Sequence, residues 1–96
     1  MKNKLYTKSY IVKRLVEEGF NVQKIDITFS VSDMRYWMIN INPKAHNILL
    51  TCFYNKNTKD FYFRIYTGEV NIKLYTMSAK VLIDTVRNLI QDIDNA

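Results

Sequence analysis

Catalysis by this chain would have to begin from its one histidine, its one cysteine or its few carboxylates. His46 stands in the stretch Asn42-Pro43-Lys44-Ala45-His46-Asn47, and no second histidine exists. One imidazole and one thiol fall short of the four ligands of a structural zinc site. A general base also needs an orienting partner, which this stretch does not reveal. His46 is therefore expected to be a solvated loop residue. Cys52 falls in an apolar run, where a thiol packs; a nucleophile wants a cation or a helix N-terminus beside it. A single Cys also excludes an internal disulfide.

The carboxylates Asp26, Asp33, Asp60, Glu69 and Asp84 are scattered over the strands, turns and last helix expected below. Metal-assisted hydrolysis needs two or more converging on one cation. Glu69 and Lys73 share a strand face by spacing, and with Asp60 they are the nearest approach to a nuclease-like acid and base set, but they match no motif. No phosphate loop, dinucleotide glycine motif, nucleophile elbow or EF-hand occurs, and the only two glycines, Gly19 and Gly68, are too few or too far apart to build the first two. The expectation is a non-catalytic binding protein with no cofactor and no metal.

The residues that could bind are aromatic and basic. Aromatics make up 14% of the chain, and Tyr accounts for seven of them against five Phe and one Trp. Several alternate with core residues along expected strands. If one sheet face carries Ile25, Ile27, Phe29, Trp37, Ile39, Ile41, Phe61, Phe63, Ile65, Val70, Ile72 and Leu74, the other carries Tyr36, Met38, Asn40, Thr51, Phe53, Tyr62, Arg64, Tyr66, Lys73 and Tyr75. The strand over 48–54 is apolar on both faces and could equally present Ile48, Leu50, Cys52 and Tyr54. Aromatic rings can stack bases, at about 1–3 kcal/mol each, while Arg64, Lys73 and Lys44 could meet phosphates. The first expectation is thus a single-stranded nucleic-acid-binding accessory protein. RNA-binding sheets use such faces, although the RNP1 signature and the GXXG loop are absent.

Tyr, Met, Phe and Arg are also enriched at protein interfaces, and cross-strand aromatic pairs stabilise a sheet with no ligand. A second expectation is therefore a phage- or mobile-element-type protein that modulates or inhibits a host protein, for example a defence nuclease, through the same face or the 55–59 loop. A homodimer is a third use of that face. Richness in Asn, Lys, Ile and Tyr suits an AT-rich genome.

The elements that must position these residues are readable. Tyr10, Ile11, Val12, Leu15 and Val16 fall near helical spacing. Thr7 or Ser9 can cap the start; Gly19 and Phe20 fit a Schellman ending, with Phe20 packed back on Leu15. Strict alternation marks a strand over 24–31, with Ile25, Ile27, Phe29 and Val31 on one side. Ser32-Asp33 turns the chain. Strands are expected over 35–42, 48–54, 60–67 and from Val70 to Tyr75, separated by the 42–47 loop, the 55–59 turn and a turn at Thr67-Gly68-Glu69. Thr76 or Ser78 caps a last helix whose stripe is Leu82, Val86, Leu89 and Ile93, widened by Val81, Ile83 and Ile90. Asp92 and Asp94 sit at the negative end of its dipole, so its last turn is expected to fray.

Short links imply an antiparallel meander. The fold class is α+β: five antiparallel strands with an N-terminal and a C-terminal helix on one face. Part of this order overlaps the α-β-β-β-α core of double-stranded-RNA-binding domains, but the extra strands and the missing basic loop before the last helix set it apart. The chain has 96 residues, enough for one domain, and its 48% hydrophobic and 24% charged content is that of a globular one. Its net charge of +5 admits a polyanionic partner. That charge is uneven. Residues 1–24 hold Lys2, Lys4, Lys8, Lys13, Arg14 and Lys24 against Glu17 and Glu18, and residues 81–96 hold Arg87 against three Asp. No apolar run is long enough for a membrane span or a secretory signal, so the cytosol is the expected compartment.

Overall fold

The computed structural model describes residues 7–31 and 34–96, and for residues 26–31 the backbone alone. Lys2, Lys4 and the turn at Ser32-Asp33 lie outside the described residues. The order is α1 (Lys8–Glu17), β1 (Val22–Val31), β2 (Met34–Ile41), β3 (Ile48–Asn55), β4 (Phe61–Tyr66), β5 (Asn71–Leu74) and α2 (Ala79–Asp94). The strands form one antiparallel sheet in sequence order, which is the expected α+β meander.

Helix α1 ends as its sequence dictates. Gly19 takes φ +93°, a conformation open to a residue without Cβ. The Gly19 amide donates to the Val16 carbonyl and the Phe20 amide to the Leu15 carbonyl, both at 3.0 Å, which is the double hydrogen bond of a Schellman motif. Phe20 then packs against the core, with the Arg87 guanidinium 5.7 Å from its ring centroid. At the start, Thr7 has extended backbone but makes no side-chain cap bond. Helix α2 begins with Ser78 as N-cap, accepting from the Val81 amide.

Both helices bury their stripes on the same sheet face. Ile11 and Leu15 of α1 and Ala79, Leu82, Ile83, Val86 and Leu89 of α2 join Trp37, Ile39, Ile41, Ile48, Leu50, Cys52, Phe61, Phe63 and Ile65 in one core. Each fully buried Ile, Leu or Phe contributes about 1.5–3 kcal/mol relative to exposure. Phe63 is the largest fully buried side chain, with Trp37 and Phe61 edge-on at 6.4 and 5.2 Å. Glu18 ties the end of α1 to α2 through Arg87 at 2.8 Å.

Several expectations need correction. Pairing in β1 is irregular between Lys24 and Thr28, and beyond it Thr28 faces Trp37 and Phe29 faces Tyr36. Directly opposed residues share a face, so the register sets Phe29 on the Tyr36 rung, not on that of Trp37; the side chains themselves lie outside the described residues. Strand β5 starts at Asn71 because Val70 is held in the preceding turn: the buried Thr67 hydroxyl accepts from the Val70 amide at 3.1 Å. Val81 is exposed and does not widen the α2 stripe. The loop at 42–47 is built, not loose. The Asn42 carbonyl accepts from the amides of Ala45, His46 and Asn47, while the Asn42 side-chain oxygen accepts from the Asn21 amide.

Candidate nucleic-acid interface

Register turns alternation into a grid on the open face. One rung runs Tyr36, Phe53, Tyr62, the next Met38, Thr51, Arg64, Lys73, and the third Asn40, Leu49, Tyr66, Asn71. Tyr75, two residues past Lys73, extends the first rung, with its ring 5.3 Å from that of Tyr62. The ambiguity of the third strand is thereby resolved. Leu50 opposes Ile39 and Ile65 and is fully buried, so Thr51 and Phe53 belong to the open face.

Four rings thus stand side by side across four neighbouring chain segments. Centroid spacings are 5.3 Å for Tyr36–Phe53, 4.9 Å for Phe53–Tyr62 and 5.3 Å for Tyr62–Tyr75. These match the cross-strand spacing of about 4.8 Å. The Lys73 ammonium lies 4.5 Å from the Tyr62 ring centroid and 5.8 Å from that of Tyr75. The Arg64 guanidinium carbon is 6.0 Å from the Phe53 centroid. These are cation–π positions, which place both cations beside the row. Among the described residues, neither cation has a carboxylate partner, and none of the face residues named in the grid is acidic. The Arg64 Nε is buried without a hydrogen bond.

The expected binding residues are mostly brought together. Tyr36, Phe53, Tyr62 and Tyr75 form the row, Met38, Arg64 and Lys73 the rung beside it, and Tyr66 the rung beyond. Lys44 sits in the loop after Ile41, about 16 Å along β2 from Tyr36. Thr51 is buried between Met38 and Arg64 and offers little surface. Lys8 donates to the Ile25 carbonyl at 2.6 Å and is thus tied to the sheet.

Three of the residues set aside for catalysis are otherwise engaged. Burial pushes the Cys52 thiol far above its ordinary range, as a packing role requires. Asp84 accepts from Lys80 at 2.8 Å, and that bond holds its carboxyl below the usual range. Asp60 accepts from the Thr58 hydroxyl. Among the described residues no group of three His, Cys, Asp or Glu could hold a metal.

His46 is the correction with most content. Its side chain is 13% exposed. The Asn42 side-chain nitrogen Nδ2 donates to its Nδ1 at 3.1 Å, and its Nε2 donates to Asp94 at 2.8 Å. His46 therefore latches the 42–47 loop to the last residue of α2, and the Asp94 carboxylate is bound where fraying was expected. The linear sequence carries no sign of this, because the partners are 48 residues apart. A separate open groove of about 390 Å³ between the β5 turn and α2 is rimmed by Glu69 and Asp92, the wrong charge for a phosphate.

No helix among the described residues is long and apolar enough to cross a membrane. No family model, curated protein or solved structure matches this chain.

Proposed function

We propose that this protein binds single-stranded nucleic acid on the open face of its sheet, without catalysis. One observation carries the reading: an aromatic row lies beside two cations that have no carboxylate partner among the described residues, on a face whose grid holds no acid. Rings of this face that keep an open side supply stacking that tolerates any base, and Arg64 and Lys73 supply attraction to phosphate. A duplex hides its bases and would reach only the cations. The test compares fluorescent single-stranded and duplex oligonucleotides by anisotropy. Micromolar or tighter binding of the single strand, with clearly weaker duplex binding, supports the reading; equal binding of both, or none, refutes it.

One observation favours a protein partner as the second reading. Exposed apolar side chains recur at Tyr75, Met77 and Val81, leading from the open face into α2. Exposed apolar groups of this kind mark interaction sites when they form a patch. A host protein modulated by this chain, such as a defence nuclease, would then dock there. In that case the Met77→Asp variant loses the partner and leaves oligonucleotide binding unchanged.

A further inference from the structure

We infer that the strand lies along the β4–β5 edge of the face, over three to five nucleotides, with bases on Tyr66 and Tyr75 and the intervening phosphates at Arg64 and Lys73. This rests on the nucleic-acid reading of the open face and narrows it.

The middle of the aromatic row cannot take a base. Phe53 and Tyr62 are stacked on each other, centroids 4.9 Å apart and planes 19° apart. Tyr36 closes the far side of Phe53 at 5.3 Å, and Tyr75 and Lys73 close that of Tyr62. Tyr36, Phe53 and Tyr62 are each half-buried. A base needs a free ring face, and the exposed aromatic side chains among the described residues are Tyr66, 43% exposed, and Tyr75, 64% exposed.

Their placement fits one ligand. Tyr75 adjoins the Tyr62 rung and Tyr66 lies two rungs further along β4. Four residues along a strand and one strand across separate them by about 14 Å. Arg64 and Lys73 are direct cross-strand partners on the rung between. Phosphates of a stacked strand advance about 3.4 Å each, so 14 Å is about four steps, and fewer where the strand is stretched. Two base platforms bracketing two phosphate contacts make a clamp for a short segment. Tyr36 and Met38, toward β1, lie outside it.

The test is anisotropy with labelled oligothymidylates from about two to about twelve nucleotides, on the full chain. Affinity is expected to climb up to about five nucleotides and then to gain only the small statistical factor of extra registers. Tyr66→Ala and Tyr75→Ala should each lose about tenfold or more, while Tyr66→Phe and Tyr75→Phe stay near wild type. Both Ala changes fall on exposed rings, and circular dichroism confirms the fold. If the longest oligomer binds but both Ala variants keep full affinity, or affinity still climbs steeply near twelve nucleotides, the clamp is wrong while the platform stands. If wild type binds no oligomer, both fall.

Discussion

Phe53 and Tyr62 stack across β3 and β4 with their ring planes 19° apart, and each is flanked by another ring of the row. An aromatic pair of this kind adds about 0.5–1.5 kcal/mol beyond its burial. The pair is therefore a spine of the sheet as well as part of its surface. Phe53→Ala should cost about 2 kcal/mol and lower the midpoint of thermal unfolding by roughly 10 °C. Tyr66→Ala, on an exposed ring, should stay within about 0.5 kcal/mol. Calorimetry on both variants checks the contrast; equal midpoints would contradict the spine. Tyr62→Ala mixes the two effects and is a poor probe of binding.

Gly19 holds the Schellman turn at φ +93°, while Gly68 has no such constraint and open space around it. An added Cβ meets nothing at either position, so backbone conformation alone separates them. Gly19→Ala should destabilise by about 1–2 kcal/mol, and Gly68→Ala should change stability by less than about 0.5 kcal/mol. Urea denaturation resolves the two; an unaffected Gly19→Ala would mean that the turn relaxes.

The hydrogen bonds of His46 assign its tautomer. The Asn42 side-chain oxygen is engaged by the Asn21 amide, so its nitrogen faces His46 Nδ1, which must accept. The proton then sits on Nε2, toward Asp94. Nitrogen-15 NMR of the neutral ring should find Nε2 protonated and Nδ1 bare. His46→Ala should speed amide exchange in the last turn of α2 about five- to tenfold, as expected from losing about 1 kcal/mol of local hydrogen bonding. Unchanged exchange there would show that the latch holds nothing.

Cys52 is 2% exposed, and burial disfavours its thiolate. A thiol reagent should leave native protein unmodified and react fully once urea unfolds it. Rapid labelling under native conditions would place Cys52 at the surface.

Much of this architecture is legible in the residues. Gly19-Phe20 specifies a helix stop down to its hydrogen bonds, because one glycine follows a periodic stripe and nothing else there can take positive φ at low cost. Alternation in β2 and β4 assigns Tyr36, Met38, Tyr62, Arg64 and Tyr66 to the open face, since the side-chain period of a strand is two. Strand β3 is silent on this point: Ile48, Leu49 and Leu50 are consecutive apolar residues, and only register against Ile39 and Ile65 chooses between its faces. In β1 the alternation misleads, because the irregularity after Lys24 is a property of pairing that composition does not mark. Alternation likewise cannot say that Phe53 and Tyr62 spend their faces on each other, or that Asn42, His46 and Asp94 converge from distant positions.

The central claim is that Arg64 and Lys73 meet phosphates of a single strand on the open face, and its most direct test is the salt dependence of binding. Two contacts on a single strand give a slope of about −1.4 in log affinity against log salt, or about a sevenfold loss between roughly 50 and 200 mM. Arg64→Ala and Lys73→Ala should each reduce that slope by about 0.7. Binding that follows these slopes places the phosphates at the two cations; no binding at low salt, or slopes unmoved in both variants, would contradict the account.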